Sequence, residues 1–262
     1  MPEVRKAVDH KLNRLLAALD PADFSKIEPY LEVVDLKSGS VLYEAGETVV
    51  DAYFPHQCVV SLVAVLSDGA TAEVAMFGCE GVVGLISTMV SRQTFGRYVV
   101  QVPGTASRLP LARAQELFDQ SEPSRMLLRR YGEALLAQTF QTVACTALHG
   151  VEERCSRSIL TTQDRISRDT LPLTHEFLSE MLGVQRPTVS LVTRKLQAAG
   201  LIRQGRGEIT VLDRAGLERV SCECYRTIRR NFERLLPGTY QDRQFEVVAV
   251  PPSEIQIRQG RF

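Results

Sequence analysis

Between Leu171 and Ile202 the chain reads LPLTHEFLSEMLGVQRPTVSLVTRKLQAAGLI, and from Arg186 to Arg206 it holds five basic side chains (Arg186, Arg194, Lys195, Arg203 and Arg206) and no acidic one. Cations without counter-anions on one short segment can neutralise phosphates and release the ions condensed on a duplex, the sequence-independent source of affinity for DNA. Arginine adds a second capability: its planar fork can donate two hydrogen bonds to O6 and N7 of guanine, so an arginine aimed into the major groove reads a base. Gln185, Arg186, Thr188 and Ser190 are the side chains expected at or near base edges, with Arg194 on phosphate. Lys195, Thr174 and Arg206 complete the expected DNA-binding set.

Two helices and a hairpin have to position these groups. Thr174 can cap a helix whose apolar face is Phe177, Leu178, Met181 and Leu182, and Gly183 supplies the backbone freedom for a tight turn. A second helix starts near Arg186, with Pro187 in its first turn and Val189, Val192 and Leu196 on its inner face. Helix, glycine turn, helix is the helix-turn-helix plan, which places the second helix in the major groove. Downstream, LIRQGRGEITV reads as strand, glycine turn, strand, and so as the wing of a winged helix.

The chain of 262 residues has 31 basic and 31 acidic side chains, but the balance is a cancellation. Residues 1–122 carry 10 basic and 16 acidic groups, net −6, and residues 123–262 carry 21 and 15, net +6. Only the second half is suited to meet a polyanion. At 262 residues, 44% hydrophobic and 24% charged, the chain can build one large or two modest domains with real cores, which excludes a disordered chain, a disulfide scaffold and a membrane span as the main reading. The charged start MPEVRKAVDHKLNRLLAALD has no apolar signal stretch, so a cytoplasmic location with free thiols is expected.

Residues 9–34 read as short helices. Val41 to Tyr43, Asp51 to Phe54, Val59 to Leu66, Ala72 to Met76 and Tyr98 to Val102 then read as strands separated by Gly and Pro, the pattern of an antiparallel barrel or sandwich. From Glu122 to about Val151 glycine and proline are scarce. Leu128, Tyr131 and Leu135 share a face there, followed by Phe140, Val143, Ala144 and Ala147, so a long helix forming a dimer seam is expected. Such a pair would set two recognition helices one duplex turn, about 34 Å, apart. Asp213 can cap a helix reaching about Leu236, with Arg226, Arg229, Arg230 and Arg234 on a solvated face or against the wing. After Pro237-Gly238 the tail either stays unstructured or adds a strand over Phe245 to Val250. The expected divisions are 1–122 (β domain with N-terminal helices), 123–151 (dimerisation helix), 152–236 (winged helix-turn-helix) and 237–262 (tail).

No paired carboxylates, Ser/His/Asp grouping, phosphate loop or metal-spaced ligands emerge, so no enzyme, cofactor or metal is expected. The cysteines, Cys58, Cys79, Cys145, Cys155, Cys222 and Cys224, are scattered. Cys222 and Cys224 fall on one expected helix, about 200° apart, where they cannot face a single metal. His10, His56, His149 and His175 read as isolated surface or capping residues.

The β domain, the long helix running into GVEERCSRSILTTQDR, the helix-turn-helix and the wing together resemble the Crp/Fnr transcription regulators over about residues 12–212. YFPHQCVVSL and DRAGLERVSCECY are similar to a proteobacterial branch of that family whose effectors are mostly undefined. The resemblance implies an α+β chain: an N-terminal β jelly-roll like a cyclic-nucleotide-binding domain, a dimerisation helix and a C-terminal winged helix-turn-helix. It implies a homodimer on a two-fold symmetric operator of double-stranded DNA, RNA polymerase as a partner, and a small-molecule effector.

The chain departs from the family pattern in three places. Cyclic-nucleotide members carry Gly-Glu-Leu and then Arg-Ser or Arg-Thr, where the Glu holds the ribose and the Arg the cyclic phosphate; here the comparable stretches are Gly84-Leu85-Ile86 and Gly96-Arg97. Arg97, the only arginine near that place, is one residue late, which turns it to the opposite face of a strand. A signal other than cyclic AMP is therefore expected, and the effector site is otherwise unassigned. The iron–sulfur branch uses N-terminal cysteines, whereas the first here is Cys58. At the recognition helix the family's Arg-Glu-Thr-Val-Xaa-Arg is Arg186-Pro187-Thr188-Val189-Ser190-Leu191, so a different operator is expected. The alternative function is a sensor that binds a partner or a second messenger such as a cyclic dinucleotide, with DNA contact secondary.

Overall fold

A computed structural model describes residues 9–85 and 91–238. A 3-10 turn at His10–Leu12 leads into α1 (Arg14–Ala17) and α2 (Pro21–Ile27). Asn13 explains how this short segment is held. Its Oδ1 accepts from the Leu15 and Leu16 amides at 3.0 and 3.2 Å, and its Nδ2 donates to the Pro55 and Gly81 carbonyls at 2.9 Å each. The side chain is buried with donors and acceptor both used, so one residue caps α1 and fixes it to the β domain.

Among the described residues seven strands follow: β1 (Glu32–Leu36), β2 (Val41–Tyr43), β3 (Asp51–Pro55), β4 (Val59–Val65), β5 (Thr71–Phe77), β6 (Arg97–Val102) and β7 (Gly104–Pro110). They form two antiparallel sheets, in the orders β1-β7-β3 and β2-β6-β4-β5. Side chains from both sheets, Tyr43, Ala52, Phe54, Leu62, Phe77, Tyr98, Val100 and Leu109 among them, share one core. The helical reading of residues 9–34 needs correction at its end, because Glu32 begins β1. That strand pairs with β7 from Glu32 opposite Arg108 to Leu36 opposite Gly104, a partner some seventy residues away that no local pattern announces.

Helix α3 (Leu111–Gln120) packs under the sheets, and α4 (Glu122–Leu148) then runs 27 residues, about 40 Å at 1.5 Å each. Ser121 caps it, accepting from the Ser124 amide at 3.3 Å. Tyr131, Ala134, Gln138, Thr142 and Cys145 form its buried side. Helix α5 (Val151–Ile166) begins where the Glu153 carboxylate accepts from the Gly150 amide at 2.9 Å, and it is buried on nearly every side. From its last turn Arg165 reaches Glu80 at 2.7 Å, the Met76 carbonyl at 3.2 Å and Gln138 Oε1 at 3.1 Å. Its stem lies where a Cβ on Gly78 would otherwise sit. One buried cation thereby joins the β domain, α4 and the base of the C-terminal domain.

The single helix expected from Asp213 to about Leu236 is two: α8 (Arg214–Val220), capped by Asp213, and α9 (Cys224–Leu235). Helix α9 is not free in solvent and does not lie on the wing. It runs antiparallel along α4, with Cys224 near Gln141 at one end and Arg234 3.6 Å from Glu133 at the other, and Ile228, Phe232 and Leu235 enter the core of the β domain. Arg226, Arg230 and Arg234 stay exposed, while Arg229 turns in toward Asp164 at 3.5 Å. The strand considered for Phe245 to Val250 lies outside the described residues.

Candidate nucleic-acid interface

The basic segment folds into α6 (His175–Leu182) and α7 (Arg186–Ala198), with a small sheet of β8 (Thr170–Leu171), β10 (Glu208–Val211) and β9 (Ile202–Gly205) beside them. Thr174 Oγ1 accepts from the Phe177 amide at 3.1 Å and starts α6. Gly183 ends it at φ +60°, a left-handed conformation that glycine adopts without steric cost. Phe177, Leu178, Met181 and Leu182 pack on Val189, Val192 and Leu196, above Ile159 and Leu160 of α5. His175 locks the arrangement from its centre: Nδ1 lies 3.0 Å from Ser190 Oγ, and Nε2 lies 2.9 Å from Gln204 Oε1 and 3.3 Å from Thr193 Oγ1. The start of α6, the inner face of α7 and the wing are therefore set against one another by one imidazole.

With the inner face of α7 buried, its outer face presents Arg186, Pro187, Leu191 and Arg194, and Gln185 precedes it in the open. Arg186 lies 3.7 Å from Glu176 with both side chains about two-thirds exposed, a tether of little strength that leaves the guanidinium free to turn to a base. Arg194 is exposed, and its Nε donates to the Ser190 carbonyl at 3.0 Å. Thr188 is half-buried at the flank. Arg206 sits in the wing turn next to Gly207, whose position adjoins Thr174, so the wing tip and the start of α6 form one edge of the surface.

Three candidates are less free than their residue types suggest. Ser190 Oγ is engaged with His175 and with the Arg186 carbonyl at 3.1 Å. Thr174 is occupied as a cap. Lys195 reaches Glu152 of α5 at 3.3 Å, on the side away from Arg186. Leu191 was not among the expected contacts, yet it is 51% exposed in the middle of the outer face. Its signal in the sequence is an apolar residue interrupting the polar stripe of an amphipathic helix, and leucine there can touch a thymine methyl group.

Arg97 lies half-buried on the outer side of β6 and pairs with Glu44 at 2.8 Å. The inward place belongs to Tyr98, whose ring lies 6.4 Å from that of Tyr43 and 5.6 Å from that of Phe77.

The histidines are not isolated. His10 Nδ1 and His56 Nε2 both contact Ser107 Oγ, at 2.7 and 2.8 Å, and burial pulls the His56 imidazole down to about 4. The cysteines also depart from expectation. All six are free and buried, but Cys222 lies in the break before α9 and Cys224 is its first residue, so they do not diverge around one helix. Together with Cys145 and His149 they bring four donor atoms within 4.8 Å of one another.

Residues 153–220 match the family model of the Crp-like helix-turn-helix domain. Among curated proteins none matches the chain at a significant level. Among solved structures, a transcriptional regulator of the Crp/Fnr family from Eubacterium rectale superposes with a TM-score of 0.61 at 17% identity, covering 80% of this chain and 98% of that one. FixK2 of Bradyrhizobium japonicum gives 0.62 at 16% identity over 73% and 98%. The c-di-GMP responsive global regulator CLP of Xanthomonas campestris gives 0.57 at 18% over 73% and 99%. The surface built by α6, α7 and the wing is thus a Crp-like helix-turn-helix domain, in a chain with the fold of the Crp/Fnr-type transcription regulators.

Proposed function

We propose that the protein is a cytoplasmic homodimer that binds a two-fold symmetric operator in double-stranded DNA and regulates transcription through RNA polymerase. The observation that carries this reading is the outer face of α7: Arg186, Leu191 and Arg194 exposed together, Arg206 on the adjoining wing, and no acidic residue from Arg186 to Arg206. The first turn of α7 adds the partial positive charge of a helix N-terminus facing the same way. Dimerisation is supported by α4. With α9 covering another side, Leu136, Phe140, Val143 and Leu148 remain exposed along it, Phe140 by 66% and Val143 by 65%. The controlling signal in this reading is not cyclic AMP. Tyr98 and its neighbouring rings fill the inner face of the four-stranded sheet, and Arg97 is paired outside it.

Binding to a panel of operator variants at several salt concentrations tests the seating of α7. Arg186→Ala should abolish preference at one base position in each half-site, a discrimination of about 1–3 kcal/mol, and leave most phosphate-driven affinity intact. Arg194→Ala should weaken all sequences alike and lower the salt slope by roughly one unit per site. If Arg186→Ala weakened specific and random duplexes equally, Arg186 would be a phosphate contact and the helix would be seated differently.

A further inference from the structure

The geometry points to a Cys3His zinc site at the junction between the long helix and the DNA-binding domain. Cys145 lies in the last turn of α4 and His149 is that helix's C-cap; Cys222 lies between α8 and α9, and Cys224 opens α9. Their donor atoms all fall within 4.8 Å of one another, with Cys145 Sγ 3.5 Å from Cys222 Sγ and Cys224 Sγ 3.4 Å from His149 Nδ1. Around a tetrahedral zinc with Zn–S of about 2.3 Å and Zn–N of about 2.0 Å, neighbouring donors stand roughly 3.5–3.8 Å apart; the Cys145–Cys222 and Cys224–His149 edges are close to that, and a contraction of the remaining edges from at most 4.8 Å would close the polyhedron. The three sulfurs are buried and cluster together apart from the two main cores.

The surroundings fit a metal better than they fit plain thiols. His149 Nε2 lies 3.2 Å from Glu223 Oε2. A proton held on Nε2 by that carboxylate leaves the Nδ1 lone pair facing the sulfurs, the arrangement that orients metal-binding imidazoles. Gln141 Nε2 donates to Cys224 Sγ at 3.0 Å, a bond that favours a thiolate. Three thiolates and one zinc leave a single negative charge, and the guanidiniums of Arg154 and Arg157 lie close enough to act on Cys145. Three soft sulfurs and an imidazole select zinc over magnesium or calcium, and four protein donors leave no open position for a reacting water. The Cys-x-Cys pair is tighter than the usual spacing of two to four residues, and it falls in the break between α8 and α9, where Ser221 is extended and Glu223 turns into the helix. A zinc here would fasten the end of α4, the start of α9 and the His149-Gly150 turn from which α5 leaves, and so set how the DNA-binding domain is carried by the long helix.

This inference stands apart from the reading of α7 and has its own test. Full-length protein purified under inert gas without added chelator should contain one zinc per chain by elemental analysis. After removal of the zinc, titration with Co2+ should give sulfur-to-cobalt charge-transfer bands and tetrahedral ligand-field bands that saturate at one equivalent. Cys145→Ser and Cys224→Ser should lose these bands. Glu223→Gln, at an exposed position that leaves packing untouched, should keep the spectrum and weaken zinc about 10-fold or more. Fully reduced wild-type protein that retains no zinc and shows no charge-transfer band would overturn the site. A cobalt spectrum unchanged in Cys145→Ser and Cys224→Ser would overturn it equally, because the ligands would then lie elsewhere.

Discussion

Glu73 on β5 sits beneath α5 with Ser61 Oγ donating to its carboxylate at 2.5 Å, beside a small cavity that Arg157, Gln138 and Ile228 also line. Burial pushes its carboxyl up to about 7, and Ser61, Arg157 and Arg165 offset only part of that desolvation. Because the folded chain then holds a proton that the unfolded chain releases near 4.5, the folded state binds more protons between those values. The contribution of Glu73 to stability should fall as pH rises through this window, by about 1–3 kcal/mol. The His56 imidazole, pulled down to about 4, contributes the opposite slope in both proteins, so the measurement is a difference: from pH 5 to 8 the urea midpoint of the wild type should fall relative to that of Glu73→Gln, and a pH-independent difference would refute the assignment. At this scale the sequence is uneven in what it reveals. Arg186, Arg194 and the Thr174 cap are legible because the helix period and local sequence place them. The Cys145–Cys222 approach is not, since it joins residues 77 apart and depends on where α8 breaks. The pairing of Lys195 with Glu152 is illegible for a related reason: its partner belongs to another helix.

Helix α4 shows how an element can carry two interfaces. One side takes Tyr131, Ala134 and Gln138 into the chain's own interior, α9 runs along another, and Leu136, Phe140 and Val143, at spacings of four and three residues, remain uncovered. A carboxylate at position 140 costs the isolated chain little, because the site is exposed, but pairing of two such helices would bury two like charges. Phe140→Glu should therefore sediment as a monomer at micromolar concentration while keeping the circular dichroism of the folded chain, and should lose about 10²-fold or more in operator affinity as the second half-site contact becomes independent. A dimer retained in that variant would place the seam elsewhere. The elements most legible in the sequence are those with local punctuation: β2 through β6, α4, α6, α7 and the wing. Strand β1 and the division between α8 and α9 escape, since the first is decided by pairing with β7 and the second by a short break at Ser221 to Glu223.

At the scale of the whole chain the halves of opposite charge meet through buried chemistry. Arg165 and Glu80 are essentially inaccessible, and removing one member of such a buried pair typically costs about 3–5 kcal/mol. Val59, Met76 and Val102 of the β domain share a core with Phe177 and Met181 of α6, so the domain that bears α7 is packed on the strands. In the proposed function, two such chains joined at α4 would set the placement of α7 on DNA. Selecting binding sites for the full chain from a random duplex library at fixed salt, followed by footprinting of the enriched sequences, tests it most directly. A dimer seated in this way should select an inverted repeat whose half-site centres lie about 10–10.5 base pairs apart, each half protected on the same face of the duplex. A single asymmetric site, or no enrichment over random duplex, would contradict it.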